Sequence, residues 1–69
     1  METTAGHRLG KNVQNERKRQ GIGKIRFCLM AGISRPLLDK VEDGTSNITL
    51  SKLEAIAKGL GVEPWELLR

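Results

Sequence analysis

Cysteine, histidine and aromatic residues are scarce in this sequence. It has one cysteine, Cys28, and one histidine, His7, and its only aromatic residues are Phe27 and Trp65. A single cysteine cannot form an intrachain disulfide, and these two residue types together cannot assemble a metal site here. We therefore predict a cytoplasmic protein of a reducing compartment, with no metal and no cofactor.

Long apolar runs are missing as well. No stretch approaches the roughly 20 apolar residues that a transmembrane helix requires, and no signal peptide is recognisable, so we expect no membrane partner. Cys28 lies beside Phe27 in an apolar run, which favours a buried structural thiol over a nucleophile. No nucleophile with its base and no carboxylate pair can be assigned to a cleft, so we predict that the protein is not an enzyme.

Aliphatic residues are frequent, and they recur at helical spacing along 69 residues. A chain of this length makes one small domain, which must be compact to fold alone. We predict an all-α, compact fold of five short helices in residues 7–69, preceded by a flexible arm at residues 1–6.

The centre of the chain carries the most specific pattern. Two short amphipathic runs, residues 24–31 and 34–43, are separated only by Gly32 and Ile33. So short a connection, with glycine where a left-handed backbone is needed, is typical of a helix-turn-helix. We place this motif at about residues 23–43 and its second helix at about residues 34–43.

The second helix of the motif has two different faces. At about 100° per residue, Leu38 and Val41 point to one side and could reach a core. The opposite side carries four residues, Arg35, Pro36, Asp39 and Lys40. Such a face suits the major groove of DNA, where Arg and Lys donate to guanine, although an ordinary solvated helix would look the same.

The net charge of +4 is unevenly distributed. Residues 1–33 hold seven Lys and Arg against two Glu, whereas residues 34–69 hold five basic against six acidic residues. A basic half suits contact with phosphates, but a run such as residues 17–19 can also be simply a solvated face.

The first helix has an apolar stripe in which Leu9 and Val13 are followed by the charged Arg17. An unpaired buried charge is very costly, so an inward-facing Arg17 needs a carboxylate, and Glu42 is our candidate. In the alternative, Arg17 points into water or towards a phosphate.

Two apolar groups are harder to assign. Ile25, Leu29 and Met30 would be exposed if Phe27 and Cys28 face the core, so either the N-terminal arm or a protein partner covers them. The other group lies in residues 65–68, which could form a dimer seam or could close the core of the monomer. A fourth helix, residues 49–60, is expected to bury Leu50, Leu53, Ile56, Ala57 and Leu60 on one face.

Several short motifs occur in order along the chain: Arg17; Gly21-Ile22; Phe27-Cys28; Gly32-Ile33-Ser34; Leu38, Val41, Glu42 and Gly44; and Ala57, Leu60, Gly61 and Val62. With these motifs, residues 9–68 resemble the Cro/repressor-type (XRE-like) helix-turn-helix family of phage repressors and bacterial regulators. The resemblance implies a lambda-repressor-like fold. The sequence departs from the family pattern at four places. Pro36 replaces a polar base-reading residue, and Gly23 replaces a Ser, Thr or Asn cap. Phe27-Cys28 replaces Leu-Ala, and Leu29-Met30 replaces charged residues.

The resemblance also implies roles for particular residues. It supports a buried ion pair between Arg17 and Glu42. The base-reading positions fall on Ser34, Arg35, Pro36, Asp39 and Lys40. Phosphate contacts fall on Lys24 and on the loop residues Thr45, Ser46 and Asn47, to which the basic run adds Lys18 and Arg19.

We therefore predict a sequence-specific double-stranded DNA-binding protein that regulates transcription. We expect a repressor that binds a two-fold operator as a homodimer. One alternative is a protein-interaction module on the same fold, whose contact surface would be Ile25, Leu29, Met30 and Leu37. The other is an antitoxin or a restriction-modification controller, which would share the DNA chemistry.

Overall fold

The computed structural model describes residues 4–69 and contains four α-helices followed by one 3₁₀ turn. The α-helices are α1 (Thr4–Arg19), α2 (Lys24–Ala31), α3 (Arg35–Asp43) and α4 (Leu50–Leu60), and the 3₁₀ turn is Pro64–Leu67. The described part of the chain contains no strand, so the prediction of an all-α fold is confirmed. The expected fifth helix is the 3₁₀ turn.

The first helix begins earlier than the sequence pattern predicted. We expected a flexible arm at residues 1–6, but α1 already includes residues 4–6, while residues 1–3 lie outside the described part of the chain. The reason is packing against the end of α3. A Cβ atom built on Gly44 would lie 3.3 Å from the Cα of His7 and 3.6 Å from the carbonyl oxygen of Gly6, so the first turns of α1 lie directly against this glycine.

Helices α2 and α3 form the helix-turn-helix. Gly32 ends α2 with φ 67° and ψ 36°, and its backbone N–H donates to the carbonyl of Cys28. Only glycine adopts this left-handed conformation without a steric penalty, which explains why the turn can be so short. Ser34 then caps α3, its side-chain oxygen accepting a hydrogen bond from the N–H of Leu37 at 3.2 Å.

All four helices and the 3₁₀ turn contribute to one core. Its buried apolar members are Leu9, Val13, Phe27, Cys28, Ile33, Leu38, Val41, Leu53, Ile56, Ala57, Leu60 and Leu67. Burial raises the pKa of the Cys28 thiol, which favours its unreactive neutral form. No helix in residues 4–69 is both long enough and apolar enough to span a bilayer.

One apolar residue that we expected in the core lies outside it. Leu50 is 79% exposed, although it precedes Leu53 by three residues on α4. It is the first residue of the helix, and it lines a surface groove together with Leu9, Leu53 and Leu68.

The C-terminal segment divides between core and surface. Leu67 is fully buried and closes the core, whereas Trp65 and Leu68 are 61% and 39% exposed. Asn12 of α1 holds this segment, because its side-chain amide donates to the carbonyls of Leu67 at 2.9 Å and Arg69 at 3.0 Å.

Helices α1 and α3 approach closely at Gly10. A Cβ atom at this position would lie 2.3 Å from the carbonyl oxygen of Val41 and 3.0 Å from that of Glu42. Any side chain here would therefore push the end of α3 away from α1.

We predict that Gly10→Ala destabilises the protein. At an open helix position this change stabilises by about 0.5–1 kcal/mol, but here overpacking should give a net loss of about 1–3 kcal/mol. Urea denaturation measures the loss. Gly23→Ser is the control, because a Cβ at Gly23 meets nothing within 4 Å and a cap serine changes stability by only a few tenths of a kcal/mol. Equal stability of Gly10→Ala and the wild type would contradict the close approach.

Candidate nucleic-acid interface

The outward face of α3 carries the predicted base-reading residues. Ser34, Arg35, Pro36 and Lys40 are exposed, and Asp39 is half-buried. Leu38 and Val41, on the opposite face, are buried and attach the helix to the core. The helix therefore presents polar and cationic groups to solvent over its whole length, as a helix in the major groove must.

The carboxylate of Asp39 contacts two other predicted DNA-binding residues, Lys24 and Arg35. Oδ1 of Asp39 accepts a hydrogen bond from Nζ of Lys24 at 3.1 Å and lies 3.4 Å from Nε of Arg35. We call these three residues the Asp39 cluster. The hydrogen bond from Lys24, with support from Arg35, holds the pKa of Asp39 below its usual value, because both cations stabilise the ionised carboxylate. The cluster connects the first residue of α2 to the middle of α3.

The loop after α3 continues the same edge of the molecule. Thr45 follows Gly44 directly, and both its N–H and its hydroxyl donate to the carbonyl of Lys40, at 3.1 and 3.4 Å. Thr45 and Asn47 are exposed and Ser46 is half-buried. The predicted phosphate-contacting loop is thus fastened to the last turn of α3.

Lys18 and Arg19 are exposed at the end of α1 and do not join the Asp39 cluster. Arg19 instead pairs with Glu16 of its own helix through Nε and Nη2. The hydrogen bond from Arg19 lowers the pKa of Glu16. A phosphate would have to displace this carboxylate to bind Arg19 fully.

Arg17 turns inward and pairs with Glu42, as we expected from the cost of burying a charge. Nε of Arg17 donates to Oε2 of Glu42 at 2.8 Å and Nη2 donates to Oε1 at 3.1 Å, while Nη1 donates to the carbonyl of Ile22 at 2.9 Å. The two side chains are 7% and 3% exposed. Hydrogen bonding to Glu42 raises the pKa of Arg17. The pair fixes the end of α3 to α1 and to the connection before α2.

Two residues that hold the helices together were not identified from the sequence. The side-chain amide of Gln20 donates to the carbonyl of Leu60 at 2.8 Å and so binds the end of α1 to the end of α4. Gly10 permits the close approach of α1 and α3. A glycine inside a helical pattern was a usable signal, since it often marks close packing, whereas nothing in the pattern pointed to Gln20.

A second surface lies on α2. Ile25, Leu29 and Met30 are 69%, 80% and 50% exposed, as the helical pattern predicted. Leu29 and Met30 border a groove between α2 and α4, which also includes Ala31, Gly32, Ala55, Lys58 and Gly59. We call this the α2–α4 groove. Its lining combines two large apolar residues, four small residues and one lysine.

Two short helices joined by a glycine turn, with the second helix exposed and flanked by a cation and a polar loop, define a helix-turn-helix protein of the DNA-binding regulator class. The model of the helix-turn-helix family HTH_3 matches residues 13–67. The chain belongs to this family, and the resemblance to the Cro/repressor-type (XRE-like) proteins is confirmed.

The chain is similar to an antitoxin and to two control proteins. Antitoxin PezA of Streptococcus pneumoniae is 32% identical over 54 residues, which cover 78% of this chain and 34% of PezA. Control protein C.BamHI of Bacillus amyloliquefaciens is 30% identical over 61 residues, which cover 87% of this chain and 75% of that protein. The crystal structure of the restriction-modification controller protein C.AhdI of Aeromonas hydrophila has a TM-score of 0.84 at 26% identity, covering 90% of this chain and 94% of that one. The chain thus spans about a third of PezA but most of each controller.

We predict that Arg17→Met lowers the free energy of unfolding by about 3–5 kcal/mol, because it leaves the carboxylate of Glu42 buried without a counter-charge. Arg19→Met is the matched control, since it removes an exposed, solvent-screened pair that contributes little to stability. Thermal and urea denaturation compare the two.

If Arg17→Met does not fold, the double variant Arg17→Met/Glu42→Leu keeps the prediction testable. It should recover most of the stability, because neither charge is then left buried alone. Equal effects of Arg17→Met and Arg19→Met would contradict a stabilising role of the buried pair.

Proposed function

We propose that this chain represses transcription by binding a two-fold DNA operator as a homodimer. The observation that carries the proposal is the arrangement around α3: an exposed recognition face flanked by Lys24 on one side and by the Thr45–Asn47 loop on the other. Major-groove recognition needs a helix that enters the groove while neighbouring groups contact the phosphates on either side, and this arrangement supplies both.

The residues of α3 then have different roles. Arg35 and Lys40 donate to O6 and N7 of guanine, the commonest specific contact of these side chains. Pro36 offers only apolar surface, which suits the methyl group of thymine. Ser34 reads a base edge with its hydroxyl proton, since its oxygen already accepts from the N–H of Leu37.

Phosphate contacts position the protein and make its affinity depend on salt. Lys24 and the Thr45–Asn47 loop contact the backbone beside the recognition helix, and Lys18 and Arg19 add contacts after Arg19 has left Glu16. Each cation that neutralises a phosphate makes the slope of log K against log salt more negative by about 0.9.

The surface that would join two copies contains Leu50, Trp65 and Leu68, which are the exposed large apolar residues outside α2 in the described part of the chain. Leu50 and Leu68 line the same groove. Leu68 caps the 3₁₀ turn that contains Trp65, and its N–H donates to the carbonyl of Trp65 at 3.1 Å, so the two residues are neighbours. Burying these residues against a second copy would remove their apolar surface from water.

A second candidate function is binding of a protein partner at the α2–α4 groove. The small residues Gly32 and Ala55 line the groove without filling it, and Leu29, which is 80% exposed, adds apolar surface. Because Lys58 is the charged residue of the groove, the favoured partner is an amphipathic helix that carries carboxylates beside an apolar ridge. Such a partner would sit beside DNA bound at Lys24.

Among the regulatory contexts, a restriction-modification controller has the strongest support. The similarity to C.BamHI and C.AhdI extends over most of each protein, whereas only about a third of PezA is matched. The DNA chemistry is the same in either context.

We predict that binding sites selected from randomised duplex DNA contain two symmetric half-sites about one helical turn apart. Arg35→Ala should remove the preference for guanine at one base pair of each half-site, a loss of about 1–3 kcal/mol of discrimination. Lys24→Ala is the contrast, because loss of a phosphate contact weakens binding to all sequences alike and lowers the salt slope by about one. An unchanged base preference in Arg35→Ala would rule out this residue as a reader.

The dimer is tested by a matched pair of variants. Leu50 and Leu29 are 79% and 80% exposed, so Leu50→Glu and Leu29→Glu place the same charge at equally open positions. We expect Leu50→Glu to shift the protein towards the monomer in sedimentation equilibrium, while Leu29→Glu sediments like the wild type. The opposite result would assign the contact between copies to α2, and a wild type that stays monomeric would reject the homodimer.

A further inference from the structure

We propose that Asp39 is a positioning residue, which aims Arg35 at guanine and restrains Lys24, and does not itself read a base. The proposal rests on the proposed function, since it concerns how the recognition helix selects DNA. It starts from the Asp39 cluster, in which one oxygen atom serves two cations that were both assigned to DNA: Oδ1 lies 3.1 Å from Nζ of Lys24 and 3.4 Å from Nε of Arg35.

Asp39 occupies only one edge of the Arg35 guanidinium. The guanidinium is planar and has a side edge that contains Nε and a far end formed by Nη1 and Nη2. Asp39 takes Nε, four residues further along the same helix face. The two terminal nitrogens, for which residues 4–69 provide no acceptor in this structure, remain able to donate together to O6 and N7 of one guanine. The contact therefore selects the end-on approach and restricts the rotamers of a long side chain.

Lys24 bonds to the same carboxylate. Its ammonium group reaches from the start of α2 to the same oxygen, so α2 and α3 meet at the carboxylate. A flexible lysine is thereby held close to the position where the DNA backbone passes beside the recognition helix. Asp39 thus fixes the phosphate-contacting group relative to the base-reading group.

Asp39 also lowers the net charge of the cluster. Two cations and one carboxylate leave one net positive charge in the cluster instead of two. Non-specific DNA binding is driven by phosphate neutralisation, so the carboxylate weakens binding to every sequence. A guanine that bonds to the far end of Arg35 does not compete with Asp39, because the two use different edges of the guanidinium. Asp39 therefore lowers non-specific affinity more than specific affinity.

The test compares Asp39→Asn with Asp43→Asn. Both remove one negative charge from α3, but Asp43 is exposed at the end of the helix and outside the cluster. Both variants, the wild type and Arg35→Ala are used to select sites from randomised duplex DNA. Their affinities for the selected site and for a scrambled duplex are then measured over a series of salt concentrations.

We expect Asp39→Asn to bind the scrambled duplex severalfold more tightly than the wild type, with a steeper salt dependence. It should also lose base preference at the same base pair as Arg35→Ala, and the double variant should lose nothing more there. Asp43→Asn should keep the wild-type preference. Asp39→Glu, which can still accept from Arg35 one turn away, should restore part of it.

A readout without DNA checks the positioning itself. In the free protein, the Nε–H of Arg35 should exchange with solvent more slowly in the wild type than in Asp39→Asn, by NMR. Loss of preference at a base pair different from that of Arg35→Ala would make Asp39 a direct reader and overturn the proposal, as would an unchanged site in Asp39→Asn. A wild type that selects no site and binds no duplex would instead refute the proposed function, a result distinguishable from either of these.

Discussion

The position of the recognition helix depends on the guanidinium of Arg17, which bonds to three acceptors at once. Two are the oxygens of Glu42 at the end of α3, and the third is the carbonyl of Ile22 just before α2. Helix α3 has only nine residues, and helices shorter than about 12–15 residues are marginal in water. Its direction is therefore set by what it packs against, and one side chain of α1 controls both helices of the motif.

The close contact at Gly10 acts on the same part of α3. The carbonyls of Val41 and Glu42 lie against the backbone of α1 at Gly10, so the ion pair and the packing contact hold adjacent residues at two points along α1. With the end of α3 fixed in this way and α2 tied to the same arginine, Lys24 and Asp39 come within 3.1 Å of each other. The geometry of the candidate interface is thus a consequence of contacts that lie behind it.

The sequence predicted the features that local chemistry controls and missed those that need the packed chain. The turn at Gly32 and the exposed face of α3 follow from residue type and helical period. The exposure of Leu50 and the bond from Gln20 to Leu60 depend on how the helices pack together, which no local pattern records. Likewise, the pattern placed Lys24 and Asp39 on the right elements, but their contact depends on how α2 crosses α3.

The charges of the interface follow a common rule. Arg19 bonds to Glu16, and both Lys24 and Arg35 share Asp39, so a net charge of +4 overstates the cations that are ready for phosphate. Before one of these cations can neutralise a phosphate, its carboxylate must be displaced or its attraction overcome. This cost in binding free energy is the same for all DNA sequences. A base that bonds to the guanidinium nitrogens left free by the carboxylate does not incur this cost. Carboxylate pairing of the cations therefore favours the selective contact over the non-selective one.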